Sequence, residues 1–173
     1  MVDSLLRKVP TAGPNLPGNE DGLTALHVVC EKEYDDVSAK MLFEICKDLR
    51  LQTIRLEVRV QWQGTPLHVT LARGRSNLVQ LLLRNGANPN LADADGSLAL
   101  HTILREKSSQ YDDDYAYKDE NKSAAMLLEV FFETDDAANH RRQPVQIDAL
   151  DESGRTPFNL LCASATSERW NCC

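Results

Sequence analysis

The chain has 173 residues, 42 % hydrophobic and 26 % charged, ordinary proportions for a globular protein and too apolar for a disordered polymer. Its 19 basic and 26 acidic side chains give a net charge of −7, which argues against a general nucleic-acid or membrane-surface binder. No apolar run approaches the roughly 18 residues of a membrane span. The start, Met1-Val-Asp-Ser-Leu-Leu-Arg7, lacks a signal peptide's apolar core and cleavage site, so an intracellular setting, cytoplasmic or nuclear, is expected.

Residues 1–18 read as a flexible leader ending in the turn-rich Gly13-Pro-Asn-Leu-Pro-Gly18. A short helix is predicted to start at Thr24-Ala-Leu-His27, with Thr24 as its N-cap, followed by a second helix whose stripe is Val37, Met41, Leu42, Ile45 and Cys46. Ile54, Leu56, Val58, Val60 and Trp62 then alternate with Arg55, Glu57, Arg59 and Gln61, the period of a strand with one buried side, here a lengthened hairpin. Thr65-Pro-Leu-His68 opens the next helix, its proline suited to the first helical position. Leu78, Val79, Leu82 and Leu83 make the following stripe, closed by Gly86 as a left-handed cap.

Leu98-Ala-Leu-His101 starts another helix without a threonine cap. Ser97 is the substitute, and a frayed start is expected. Residues 108–122, acidic and polar, read as a loop, then Ala124, Leu127, Leu128 and Phe131 as a helix, then 134–143 as a second loop. Val145 and Ile147 against Gln146 and Asp148 suggest a short extended arm. Thr156-Pro-Phe-Asn159 begins the last helix, after which Leu160, Leu161 and Trp170 have no following helix to cover them.

Four of these strings are copies of one another, at 24–27, 65–68, 98–101 and 156–159, with starts 41, 33 and 58 residues apart. Asn19-Glu-Asp-Gly22, Asp93-Ala-Asp-Gly96 and Asp151-Glu-Ser-Gly154 each set a glycine two residues before the string, whereas Gly64 directly precedes Thr65. The set resembles the ankyrin repeat family, whose period equals the middle interval, the outer intervals carrying insertions. The resemblance implies an all-α repeat solenoid, an ankyrin stack of about four helix-turn-helix units with β-hairpin connections, two units with insertions and the last incomplete. The boundaries read as units at about 19–59, 60–92, 93–147 and 148–165 within a domain of 19–165, and a C-terminal tail of 166–173. A helix pair cannot bury both apolar faces alone, so stacking builds the core.

Catalytic chemistry finds no support: no G-x-S-x-G elbow, no phosphate-binding glycine loop, no activated cysteine. His27, His68 and His101 stand at equivalent repeat positions, which disfavours a shared metal. The resemblance gives them a structural role, hydrogen-bonding within and between turns. The acidic loop lacks the spacing of a calcium-binding EF-hand loop. Five cysteines show no C-x-x-C pairing; Cys30, Cys46 and Cys162 read as core, and Cys172-Cys173 as an incidental or truncated end. No cofactor, metal, nucleic acid, membrane or small-molecule substrate is expected, and no enzymatic activity.

What remains is a protein-interaction module acting as scaffold, adaptor or inhibitor through hairpin tips and a concave face, or alternatively the regulatory or targeting segment of a longer enzyme, channel or effector. Residues 50–84 carry net +5 and residues 91–139 net −8. Arg73 and Arg75 are candidates to face an acidic partner. Trp62, Asp93, Asp95, Arg105, Asp151 and Glu152 are the candidates at or near the tips, Trp62 being equally suited to packing beneath its own hairpin.

Overall fold

The computed structural model describes residues 15, 22–31, 36–48, 54–60, 64–105, 124–138 and 145–167. Seven helices lie among them: α1 (Ala25–Glu31), α2 (Asp36–Asp48), α3 (Pro66–Ala72), α4 (Ser76–Arg84), α5 (Ala99–Leu104), α6 (Ala124–Ala138) and α7 (Pro157–Ser167). They pack as pairs in sequence, α1 with α2, α3 with α4 and α5 with α6, and the pairs stack in two rows. One row runs α1, α3, α5, α7; the other runs α2, α4, α6. The chain is therefore an all-α repeat fold, with no strand among the described residues.

The core is continuous from one pair to the next. Leu26 and Cys30 of α1, Leu42 and Cys46 of α2, Leu67 and Leu71 of α3, Val79, Leu82 and Leu83 of α4, Leu100 and Ile103 of α5, and Leu127 and Phe131 of α6 form one buried cluster. No pair owns this core, which is the physical reason the pairs must stack. Thr70, fully buried on α3, gives its hydroxyl hydrogen to the Pro66 carbonyl at 2.7 Å, so its burial leaves no polar atom stranded.

Local sequence explains where the helices begin and stop. Pro66 opens α3 behind Thr65, whose extended backbone ends the preceding segment. Gly86, at φ 105°, terminates α4, with its N–H on the Leu83 carbonyl and that of Ala87 on Leu82. α5 is not frayed at its start: Leu98 and Ala99 are buried, and the Leu98 N–H is held by the His101 ring at 3.2 Å. Ser97 does not cap the helix; its hydroxyl accepts from Arg105.

Several expectations are corrected. Residues 54–60 form no strand; Val60 makes a single antiparallel bridge with Gly64, although Ile54, Leu56 and Val60 are buried and Arg55, Glu57 and Arg59 exposed. The alternation thus reports one-sided burial of an irregular segment that turns at Leu56 and Glu57. Ile147 is 63 % exposed, so of the apolar pair in the 145–148 arm only Val145 packs against the core. Val37 and Met41 are exposed, whereas Leu42 and Cys46 of the expected stripe are buried, joined by the small Ser38 and Ala39. Residues 134–138 continue α6 rather than leaving it, and α7 runs on to Ser167. Leu160 is buried against the stack, leaving Leu161 and Phe158 exposed, and Cys162 is exposed rather than core. The acidic loop, Trp62, His140, Trp170 and the terminal cysteines lie outside the described residues.

Candidate partner-binding surface

The turns ahead of α5 and α7 are each built by backbone and by one short acidic side chain. At Asp93 the carboxylate Oδ1 accepts the N–H groups of Asp95 and Ser97, at 2.9 and 2.8 Å. At Asp151 Oδ1 accepts those of Ser153 and Arg155, both at 2.9 Å, while Oδ2 takes the Arg155 guanidinium. The Arg155 amide, assisted by its side chain, holds the Asp151 carboxyl below its ordinary 3.8 against the opposing effect of burial. Both aspartates close a local loop that an apolar side chain would leave open. Of the expected partner-binding residues, these two have their carboxylates occupied by their own turns.

The turns also stack on one another. Glu152 N–H donates to the Asp95 carbonyl at 3.1 Å. A Cβ on Gly64 would lie 2.9 Å from the Asp93 Cβ, and one on Gly96 would lie 3.0 Å from the Glu152 amide nitrogen. Both glycines have positive φ, so they supply the conformation and the clearance together.

Histidines fasten this ladder. In each of the first three copies Nδ1 accepts a backbone N–H from the residue capping its own helix: Thr24, Thr65 and Leu98, at 3.4, 3.3 and 3.2 Å. The Thr24 and Thr65 hydroxyls also sit 2.8 Å from that nitrogen. Facing donors, Nδ1 carries no proton, so the proton is on Nε2. Nε2–H then donates onward to the next turn, to Gly64, Ser97 and Arg155 carbonyls at 3.4, 3.0 and 3.0 Å. Burial pushes His27 and His68 below the ordinary imidazole value, with the Asp93 charge working against the shift at His68 and Arg59 with it. In the fourth copy Asn159 is exposed, and its N–H meets the Thr156 hydroxyl at 3.2 Å, a side-chain N-cap.

The structure brings Asp95, Arg105 and Glu152 together. Arg105, at the end of α5, reaches back to the tip, donating to Ser97 Oγ at 3.0 Å and to the Asp95 carboxylate at 3.5 Å. Asp95 in turn carries Glu152 on its carbonyl. Asp95, Arg105 and Glu152 are exposed, so the pair Asp95–Arg105 costs little to separate, roughly 0–1 kcal/mol. Arg73 and Arg75 lie elsewhere, both reaching back to the end of α1. Arg73 meets the Glu31 carboxylate at 3.4 Å and Arg75 the Cys30 carbonyl at 3.5 Å, tying α3 to α1 with both guanidinium groups half-exposed. The Asx geometry of Asp93 and Asp151 was readable from an aspartate followed by residues with free amides two and four positions on. A charge at a loop tip nevertheless reads first as surface.

A family model described as ankyrin repeats in three copies matches residues 1–93, more than half of the chain. The chain belongs to the ankyrin repeat family, whose repeats are generally protein-protein interaction modules and typically non-enzymatic. Among curated proteins it is similar to "Ankyrin repeat and MYND domain-containing protein 1" of Mus musculus, 38 % identical over 73 residues, and to the Homo sapiens protein of the same name, 36 % identical over 73 residues. That stretch is 42 % of this chain but 8 % and 7 % of those two proteins, so the match spans under a tenth of either relative. No helix among the described residues is long and apolar enough to cross a membrane.

Proposed function

We propose that this chain is a non-enzymatic ankyrin module of about four units that grips a protein partner through its turn tips and the concave side lined by α1, α3, α5 and α7. The observation that carries this reading is a division of labour at the tips. Asp93, Asp151, Gly64, Gly96 and the histidines are consumed in holding the turns in register, whereas Asp95, Arg105 and Glu152 are presented together on two adjacent turns with exposed side chains. A rigid backbone ladder that displays mixed charge at fixed spacing is suited to polar recognition at low entropic cost. Arg73 and Arg75, half-exposed within a stretch of net +5, extend the surface toward an acidic partner, and Trp62 is a further candidate anchor.

The test is affinity capture from the source cell with wild type beside an Asp95→Lys, Arg105→Glu, Glu152→Lys variant, checked for an unchanged urea midpoint. Loss of a partner that wild type retains supports the tip surface. Retention of every partner by a variant of full stability sinks it, and repeating the capture with Arg73→Glu and Arg75→Glu then tests the second patch.

A second reading, the regulatory or targeting segment of a longer protein, is favoured by the relatives' size. The match takes up 8 % and 7 % of proteins whose names include a further domain. Sequencing the transcript on both sides of these 173 residues separates the two readings, since an additional catalytic or channel domain would support the second and in-frame stops would remove it.

A further inference from the structure

α7 exposes the positions that the earlier first-row helices bury. In the repeated strings Phe158 stands where Leu26, Leu67 and Leu100 stand; those three are 0, 1 and 4 % exposed, Phe158 66 %. Leu161 takes the place of Val29, Thr70 and Ile103, all buried, and is 47 % exposed. Cys162 takes that of the buried Cys30 and Leu71 and is also exposed. Ahead of the helix, Ile147 corresponds to Leu56 and Pro89, each buried, and is exposed as well. A surface buried in three copies and open in the fourth is not a groove running along the stack. It is a stacking face. α1 is covered by α2 and α3, α3 by α4 and α5, and α5 by α6 and α7, whereas among the described residues α7 packs chiefly on α5.

The chemistry of this face fits a second face of the same kind. Phe158, Leu161 and Cys162 fall at i, i+3 and i+4, one side of a helix. From Pro157 to Ser167 the helix carries no charged side chain. A twofold pairing sets each residue against its own mate or a reciprocal one, so a charged face would meet like charge, and this one meets none. Asn159, exposed and next to Phe158 in the chain, has an amide that both donates and accepts, so it can pair with its own counterpart and leave no polar atom stranded. Inside the chain each first-row helix already packs on another first-row helix, α1 on α3, α3 on α5 and α5 on α7. An α7 laid on a second α7 continues that row. We infer that two copies of this chain associate through α7, with Phe158, Leu161 and Cys162 of one copy seated on those of the other in a twofold dimer.

Sedimentation velocity of the 173-residue chain over a rising concentration series tests this, and a monomer–dimer equilibrium is expected. Each copy carries net −7, so the dimer tightens as salt rises from ~50 to ~500 mM and screens that repulsion. Phe158→Asp with Leu161→Asp weakens association by at least ~30-fold, with unchanged circular dichroism because both side chains already face solvent. In a Cys172→Ser, Cys173→Ser background a short bismaleimide joins Cys162 to Cys162, and Cys162→Ser removes the product. A chain that stays monomeric up to ~1 mM overturns the inference and leaves the face to a different protein. A dimer that salt disperses, or that the aspartate pair leaves intact, overturns it too. If the aspartate variant does not fold, the cross-link decides, since a dimer giving no Cys162 product uses another surface.

Discussion

At the scale of single residues, stability rests on imidazoles that must stay neutral. His27 and His68 have folded values below 6.5, so the unfolded chain binds their protons more readily. Their contribution is complete above about pH 6.5 and declines as the pH falls below it, toward the lowered folded values. Urea midpoints should be flat from pH 7 to 8 and drop between pH 6.5 and 5, with a shallower drop in His27→Gln and His68→Gln. An equal drop in those variants would move the proton uptake elsewhere. His68→Ala strands the Thr65 N–H and the Ser97 carbonyl, a cost of about 2–4 kcal/mol by equilibrium unfolding. Thiols behave oppositely: burial pushes Cys30 up to about 11, and Cys162 is exposed. Iodoacetamide at neutral pH should label Cys162 ahead of the buried Cys30 and Cys46. Cys30, whose thiolate fraction is lower by about 100-fold than at its ordinary value of 9.0, should label only on unfolding. The histidine positions were legible because a short local motif specifies them. Val37 and Met41 were misplaced because an i, i+4 apolar pair resembles a core stripe, and the small Ser38 and Ala39, buried beside Leu42 and Cys46, carry little hydrophobic signal.

At the scale of an element, the turns show how one glycine differs from another of identical conformation. Gly64 and Gly154 both have φ 71°, yet a Cβ on Gly154 meets nothing within 4 Å and one on Gly64 meets Asp93. Gly154→Ala should cost only the left-handed backbone penalty, roughly 1–2 kcal/mol. Gly64→Ala should cost at least about 1 kcal/mol more, because the neighbouring turn must move. Equal losses on denaturant unfolding would mean the turns are not in contact. The glycines announced the turns in sequence, but which of them lie beneath another turn depends on stacking, which a linear pattern does not encode. Likewise the alternation at 54–60 recorded which side chains are buried, not whether a partner strand exists.

At the scale of the whole molecule, a stack held by nearest neighbours is least stable where neighbours are fewest. α3 packs against α1, α4 and α5, whereas α7 packs chiefly on α5. Amide hydrogen exchange should therefore be fastest along Pro157–Ser167 and slowest in α3 and α4; uniform protection would indicate a single all-or-none unit. The repeat architecture could be read in advance because four copies of one string fix the direction of stacking. Which tip charges are available for contact could not, because the carboxylates of Asp93 and Asp151 are spent on their own turns while Asp95, paired with Arg105, and Glu152 stay exposed. One further property follows from α5 and α6, which pack together although Leu104 and Ala124 are twenty positions apart in the chain. Closing a longer connection costs only about 0.6 kcal/mol for each doubling of its length. A fluorescent reporter or a foreign epitope spliced into that interval would ride on the scaffold without disturbing its register, which makes it the natural handle for engineering this protein.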